Sequence, residues 1–251
     1  MAKRRRVWNK NKYQQYVNEG RGQGEGFEYI PWISIHDFSS RGRVSRVFSY
    51  KTNRIHHFLS RNELYYFYLL EWSDKVLDIR EQYPLLDVER AIYVAMNAGI
   101  KYPRDNISGF PYILTCDFMV TTEKGLKART IKCASELNNK RTLEKLEIER
   151  RYWNDLDIDW KIVTENEISI QKAKNIEWLY TAAKLPEYLI DKIYHQELIK
   201  HLETKSIRQA AELFDKKHGY PAGSGLRIVK HLLWHKEIVC EMDQDISIYE
   251  N

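Results

Sequence analysis

The alternation of apolar and polar residues along the first two thirds of the chain predicts a mixed α/β layer around one central sheet. Helical periodicity with capping signals predicts the helices, and period-two alternation between turn residues predicts the strands. The predicted elements are a short helix at 13–20, short strands within 29–57, a helix at 60–72, a strand at 76–85, a short helix at 89–100, a hairpin at 112–135, a helix at 138–154 and a strand at 160–164.

After about residue 170 the pattern becomes helical, which predicts two domains, 1–170 and 171–251. The predicted helices of the second domain lie at 174–184, 186–203, 206–217 and 224–236, and two short alternating runs, IVCEM and ISIYE, follow them. Helices followed by a small ribbon are the plan of a winged helix-turn-helix. Such units bind DNA or dock on proteins, and the sequence leaves both functions open.

The candidate recognition helix of that second domain has a modest basic face. The residues that form this face are Arg227, Lys230 and His231. The candidate wing is acidic, because it contains Glu237, Glu241, Asp243 and Asp245. An acidic ribbon argues against a wing that lies on DNA phosphates.

Composition adds that the chain should fold and should not cross a membrane. The sequence has 251 residues, of which 43% are hydrophobic and 30% are charged, enough apolar mass for a core. No run of about 18 apolar residues is present, and the N-terminus lacks the apolar stretch of a secretory signal. Three cysteines are too few for a disulfide scaffold and fit a reducing cytosol, so we expect a cytoplasmic protein.

The net charge of +5 is spread unevenly along the chain. Residues 1–60 contain twelve Lys or Arg and four Asp or Glu, a net charge of +8, so the remainder is slightly acidic. A basic N-terminal quarter indicates either a polyanion partner or a solvated arm, and charge alone does not separate the two.

The predicted hairpin contains the most specific chemistry, in the string LTCDFMVTTEKGLKARTIKCASE. With a two-residue turn at Lys124-Gly125, Asp117 lies opposite Lys132. Because side chains alternate between the faces of a strand, one face is apolar and the other is polar. The apolar face contains Cys116, Phe118, Val120, Ile131 and Cys133, and the polar face contains Thr115, Asp117, Thr130 and Lys132.

A carboxylate and an ammonium group on one face of adjacent strands are typical of metal-dependent nucleases of the PD-(D/E)xK type. Hard carboxylate ligands hold Mg²⁺, which neutralises charge on the phosphorane and generates hydroxide. A neighbouring lysine orients or deprotonates water and stabilises the developing charge. The alternative is a plain cross-strand ion pair, worth a few tenths to ~1 kcal/mol.

A third acid is needed upstream, and Glu63 in the first turn of the predicted helix 60–72 is the candidate. The pattern Ser60-x-x-Glu63 is also a capping box, in which Glu63 would bond the backbone of Ser60. Glu71 and Asp78 are rival acids. The local sequence leaves these alternatives open.

Several long strings resemble TnsA, the family of endonuclease subunits of heteromeric bacterial transposases. The strings are EGRGQGEGFEYIPW at 19–32, SYKTNRIHHFLS at 49–60, LEWSDKVLDIREQYPLL at 70–86, RTLEKLEIERRYW at 141–153 and NIEWLY at 175–180. The resemblance implies a restriction-endonuclease-like catalytic domain, with a mixed sheet flanked by helices, behind a basic arm. It also implies a C-terminal helical, winged-helix-like domain.

The resemblance further implies a Mg²⁺-dependent DNA endonuclease, with Mn²⁺ as a substitute. Such a subunit cuts double-stranded DNA at the transposon 5′ ends, together with a TnsB-like transposase and a TnsC-like ATPase. It would be a bacterial cytoplasmic protein, associated with the nucleoid when active. The alternative is a catalytically inactive module that bridges the transposase and its ATPase.

Carried onto this sequence, the family's catalytic residues are Glu63, Asp117 and Lys132. The expected metal ligands are Glu63, Asp117 and the backbone carbonyl of Ile131, with Thr130 as a weaker candidate. Such sites commonly have Gln or Glu at the position of Thr130, so a second metal ion is in doubt.

Histidines offer two lesser candidates. His231 and His235 are four residues apart near Cys240, but a zinc site would need a fourth ligand that the sequence does not suggest. His56 and His57 precede the helix of Glu63 and either approach DNA phosphate or have turn and surface roles.

Overall fold

The computed structural model describes residues 7–37 and 44–246, and the chain divides into two compact units, Met1–Ile168 and Ser169–Asn251. In these described ranges no helix is both long and apolar enough to cross a membrane.

The first unit is an α/β layer with a mixed four-stranded sheet, as the hydrophobic pattern predicts. The elements are α1 (Lys10–Asn18), β1 (Ser45–Ser49), β2 (Arg54–Phe58), α2 (Arg61–Trp72), β3 (Val76–Pro84), α3 (Val88–Asn97), β4 (Thr115–Thr122), β5 (Gly125–Ile131), α4 (Lys140–Asn154) and β6 (Asp159–Val163). The sheet has the order β3-β4-β5-β6, in which only the β5–β6 pair of the described strands is parallel. Strands β1 and β2 form a separate antiparallel hairpin.

Helices pack on the sheet through its apolar positions. Met119 and Ala128 belong to a core cluster with Val94 of α3 and Ile148 and Tyr152 of α4. Phe118 contacts Phe58, whose ring is tilted against that of Phe67 of α2 at 4.7 Å between ring centroids. The two helix layers therefore fix the strands on which the polar candidates lie.

The predicted register of the β4–β5 hairpin is wrong by two residues. The turn is Glu123-Lys124, and Phe118 pairs with Arg129. Gly125 has φ 103°, which glycine adopts readily, so it closes the turn as the first residue of β5. A shift of two residues keeps every strand side chain on its predicted face.

Cys133 is also placed differently from the prediction. It lies beyond the end of β5, begins a single 3₁₀ turn and is exposed, so it does not extend the apolar face. Cys116 is fully buried, as predicted.

The second unit is helical. Its helices are α5 (Ile170–Tyr180), α6 (Lys192–Leu202), α7 (Ile207–His218) and α8 (Ser224–Trp234). Gly225 allows α7 and α8 to approach closely, because a Cβ atom there would lie 2.7 Å from the backbone oxygen of Ala211. The Asp215 carboxylate accepts hydrogen bonds from the backbone N–H groups of Gly223 (2.7 Å) and Gly225 (2.6 Å), which fixes the turn between these helices.

The predicted ribbon of a winged helix is not seen in the part of the chain that the structure describes. The run at 238–242 forms no strand, and most of the run at 246–250 lies outside the described residues. Instead, Asn175 Nδ2 donates to the carbonyl oxygens of Met242 (2.8 Å) and Gln244 (2.6 Å). These bonds fasten the segment to α5, because a buried amide needs partners.

The basic face of α8 is smaller than predicted. Lys230 Nζ lies 3.9 Å from the ring centroid of Trp178, and His231 Nδ1 lies 2.9 Å from the carbonyl oxygen of Ala182. Of the three predicted residues, Arg227 alone is classed as exposed. Of the basic residues on this helix, Lys230 and His231 thus contact neighbouring groups of the same unit, and Arg227 is the most exposed.

Candidate active site

Glu63 is positioned by the start of α2. Ser60 caps this helix, and its hydroxyl accepts a hydrogen bond of 3.2 Å from the Glu63 N–H. The Glu63 side chain reaches back as in a capping box, but Oε2 accepts from the backbone N–H of Leu59 (3.0 Å) and not from that of Ser60. Glu63 is only 6% exposed. The cap therefore holds a buried carboxylate at the edge of the sheet.

Gln82 of β3 joins Glu63 to Asp117. Its Nε2 lies 3.4 Å from Glu63 Oε2 and 3.2 Å from Asp117 Oδ1. One amide nitrogen is therefore within hydrogen-bond distance of both carboxylates. Sequence reasoning did not single out Gln82.

Asp117 is in turn joined to the end of β5. Its Oδ2 accepts from the backbone N–H of Ile131 at 2.6 Å and lies 3.3 Å from Lys132 Nζ. Lys132 Nζ also donates to the carbonyl oxygen of Ile131 at 2.8 Å. The structure thus brings Glu63, Asp117, Ile131 and Lys132 into one hydrogen-bonded group, and Asp117 and Lys132 lie on one face as predicted.

Burial and neighbouring charges shift the pKa values of Glu63 and Lys132. Burial, followed by the negative charge of Asp117, raises the pKa of Glu63 to about 7. Burial lowers the pKa of Lys132, but attraction to Asp117 and Glu149 outweighs it, so the pKa of Lys132 is raised. The lysine is therefore an ammonium group at neutral pH.

Glu149 of α4 is a further acid that the sequence reasoning missed. Its Oε2 accepts a 2.6 Å hydrogen bond from the Thr130 hydroxyl, which itself accepts one from Trp160 Nε1 at 3.2 Å. Burial raises the pKa of Glu149 to about 7. The sequence signal that could have identified Glu149 as a buried acid is its position on the apolar stripe of α4. It lies three residues after Leu146 and four before Trp153.

The rival acids have other roles. Glu71 accepts from the Ser49 hydroxyl (2.7 Å) and from the backbone N–H groups of Tyr50 (2.7 Å) and Lys51 (3.1 Å), so it fixes the end of β1. Asp78 Oδ2 lies 3.2 Å from Arg80 Nε. In the structure neither carboxylate joins the group around Asp117.

The histidine candidates lie outside the group around Asp117. His56 is fully buried, and its Nδ1 lies 2.8 Å from Glu81 Oε2, so it does not approach DNA phosphate. His57 is partly buried, and its backbone N–H donates to Glu81 Oε1 at 3.2 Å. His235 Nε2 lies 3.1 Å from the carbonyl oxygen of Ala183. No group of three or more His, Cys, Asp or Glu side chains that could hold a metal ion is found within residues 7–37 and 44–246, so the suggested zinc site is not present there.

Comparison with known proteins gives two consecutive family matches and one curated relative. Residues 73–165 match the family model "TnsA-like endonuclease N terminal", and residues 167–242 match "TnsA endonuclease C terminal". The chain is 44% identical over 184 residues to the "Transposon Tn7 transposition protein TnsA" of Escherichia coli. This alignment covers 72% of the chain and 66% of the relative, just under two thirds of the relative's length.

Proposed function

Because this chain belongs to the TnsA family of transposon endonucleases, we propose that it hydrolyses a phosphodiester bond at the 5′ ends of a transposon during cut-and-paste transposition. The observation that carries this proposal is the hydrogen-bonded group of Glu63, Asp117 and Lys132. These side chains come from helix α2, strand β4 and the residue directly after β5, which we propose is the arrangement of a restriction-endonuclease-like site.

The group fits a hard divalent cation. The buried carboxylates of Glu63 and Asp117 both lie within hydrogen-bond distance of the Gln82 amide nitrogen. Repulsion between the two carboxylates helps to raise the pKa of Glu63, so a positive charge between them would be favourable. Carboxylate and carbonyl oxygens are the ligands that Mg²⁺ prefers. We propose that Glu63, Asp117 and the Ile131 carbonyl hold Mg²⁺, or Mn²⁺ in its place. Such an ion stabilises charge on the reacting phosphate and lowers the pKa of bound water.

Lys132 supplies a fixed positive charge beside Asp117. Its raised pKa keeps the ammonium group protonated at neutral pH. Beside Asp117, this ammonium group would orient the attacking water and stabilise the negative charge that develops on the phosphate.

Thr130 and Glu149 are assigned a supporting role. The Thr130 hydroxyl donates to Glu149 and accepts from Trp160, so we leave Thr130 out of the proposed ligand set. Through its hydrogen bond to Thr130, Glu149 ties the end of β5 to α4, and we assign it a positioning role. This arrangement is consistent with one metal ion rather than two.

The proposed partners are a TnsB-like transposase, a TnsC-like ATPase and the double-stranded DNA of the transposon ends. The net charge of +5 is modest for a protein that searches DNA unaided, so we propose that cutting depends on these partners. The rival function is an inactive bridging module. The presence of Glu63, Asp117 and Lys132 in one group disfavours it.

Cutting by a reconstituted complex tests the proposal. The chain, with the transposase and ATPase of its own element and Mg²⁺, should nick labelled transposon ends at the 5′ strand. Lys132→Ala should abolish these nicks while the complex still forms on size-exclusion chromatography. Unchanged nicking by Lys132→Ala would reject the assignment, and absence of nicking by the unmodified complex would favour the bridging module.

A further inference from the structure

Gln82 has an unusual backbone conformation near the C-terminal end of β3. Its φ angle is 49°, in the left-handed region that residues other than glycine rarely adopt. Its neighbours pair regularly with β4, because Glu81 lies opposite Phe118 and Tyr83 opposite Cys116. A strained residue between two regular pairs is maintained only when its surroundings enforce it, and such residues cluster at functional sites.

Contacts from residues 20–32 enforce this conformation. The backbone N–H of Trp32 donates to the Gln82 carbonyl oxygen at 3.3 Å, and the Tyr29 hydroxyl donates to the Glu81 carbonyl oxygen at 3.0 Å. Gly22 lies so close to Pro84 that a Cβ atom would be 2.3 Å from the proline Cγ. Residues 20–32 therefore pack closely against the distorted strand.

The side chain of Gln82 has both ends of its amide engaged. The Thr115 hydroxyl donates to Oε1 at 3.3 Å, which leaves Nε2 facing Glu63 Oε2 and Asp117 Oδ1. Gln82 is only 3% exposed, so water does not compete strongly for these bonds.

We infer that Gln82 is a positioning residue that fixes the orientation of Glu63 and Asp117 before a cation binds them. The inference rests on the proposed function, because it concerns the same pair of carboxylates. Residues that orient metal ligands by hydrogen bonds typically change metal affinity by roughly 10–100-fold when they are removed. The left-handed backbone of Gln82 accompanies a side-chain amide that lies within hydrogen-bond distance of both carboxylates.

Gln82→Gly tests the inference, because glycine accepts the left-handed backbone and removes the amide together with the rest of the side chain. Mn²⁺ and Mg²⁺ binding to the full chain would be measured by calorimetry without DNA, beside thermal unfolding. We expect roughly 10–100-fold weaker binding, no loss of melting temperature, and cutting that recovers at high Mg²⁺ concentration. Asn53→Gly is the matched control, since Asn53 also has a left-handed backbone (φ 55°) but lies in the turn between β1 and β2.

A second variant, Gln82→Asn, keeps an amide that is too short to reach both carboxylates and should weaken binding in the same direction. Unchanged metal binding in both variants would overturn the inference. Tighter metal binding in both variants would also overturn it, because the amide would then compete with the cation for the two carboxylates. In either case the proposed function stands if Asp117→Asn still abolishes metal binding. If Asp117→Asn binds metal as the unmodified chain does, the proposed ligand set and the inference both fail.

Discussion

The hydroxyl of Thr130 donates a 2.6 Å hydrogen bond to Oε2 of Glu149, and this bond joins the end of β5 to helix α4. Sites of the kind this chain resembles commonly have Glu or Gln two residues before the lysine. Here Thr130 occupies that position, and the carboxyl group beside it belongs to Glu149 of helix α4. Burial lowers the pKa of Lys132, but Asp117 and then Glu149 raise it by attraction. A carboxyl group from α4, whose pKa of about 7 leaves it only partly ionised at neutral pH, thus lies beside the strand position that has no acid.

Thr130→Val should destabilise the first unit by about 1–3 kcal/mol, because buried Glu149 loses a donor and Trp160 loses an acceptor. Urea unfolding at neutral pH would measure the change. Thr122→Val is the control, since the Thr122 hydroxyl bonds only within the exposed hairpin turn as far as the described contacts show. Equal losses in the two variants would contradict the buried role of Thr130.

Glu149→Gln should change the pH dependence of stability. Burial raises the pKa of Glu149 to about 7 in the folded chain, so folding favours the neutral carboxyl group. Its contribution is therefore fully present below the unfolded pKa of about 4.3 and is lost as pH rises through about 7. Gln does not titrate, so the variant should gain up to about 3 kcal/mol relative to the unmodified chain between pH 5 and pH 8. The free energy of unfolding of both chains would be measured in EDTA across this pH range. A constant difference between the two chains would show that Glu149 does not titrate as described.

Arg54→Met should destabilise the first unit strongly. The Arg54 guanidinium donates to the fully buried Glu81 at 2.9 Å, and His56 lies beside the same carboxylate. Although burial raises the pKa of Glu81, His56 and Arg54 hold it far below its usual range. Removal of one partner of a buried ion pair costs about 3–5 kcal/mol, because the other charge is left uncompensated.

Arg90→Met provides the comparison for Arg54→Met within the same unit. Arg90 and Asp87 form an ion pair of 3.1 Å in which both side chains are more than a third exposed. Exposed pairs contribute about 0–1 kcal/mol, so the free energy of unfolding should change little. A loss for Arg54→Met no greater than that for Arg90→Met would mean that Glu81 is not held as a buried anion.

The sequence contained enough information to bring Asp117 and Lys132 together. Period-two alternation determines the face of the sheet on which each side chain lies. A two-residue error in register leaves each side chain on the same face, so the prediction held although the turn at Gly125 was misplaced. Glu63 could be chosen as the third acid only with the family resemblance, because Ser60-x-x-Glu63 is also a capping signal. In the structure Glu63 both accepts a hydrogen bond at the helix start and faces Gln82.

Gln82 and Glu149 could not be predicted for two different physical reasons. The left-handed backbone of Gln82 depends on Trp32, which is fifty residues away in the sequence, and no local pattern encodes that contact. Glu149 lies on the apolar stripe of α4, but helical periodicity does not tell which buried acid meets which partner. The run at 238–242 alternates as a strand would but forms none in the structure, and most of the run predicted to pair with it lies outside the described residues.

The central claim is that Glu63, Asp117 and Lys132 together cut one strand at each transposon end. The most direct measurement is strand-specific cleavage by the reconstituted complex, with Asp117→Asn beside the unmodified chain, over a range of Mg²⁺ concentrations. The account predicts that 5′-strand cuts fall at least about 100-fold at every Mg²⁺ concentration, while the 3′-strand cuts of the partner transposase persist. Full 5′-strand cutting by Asp117→Asn would contradict it.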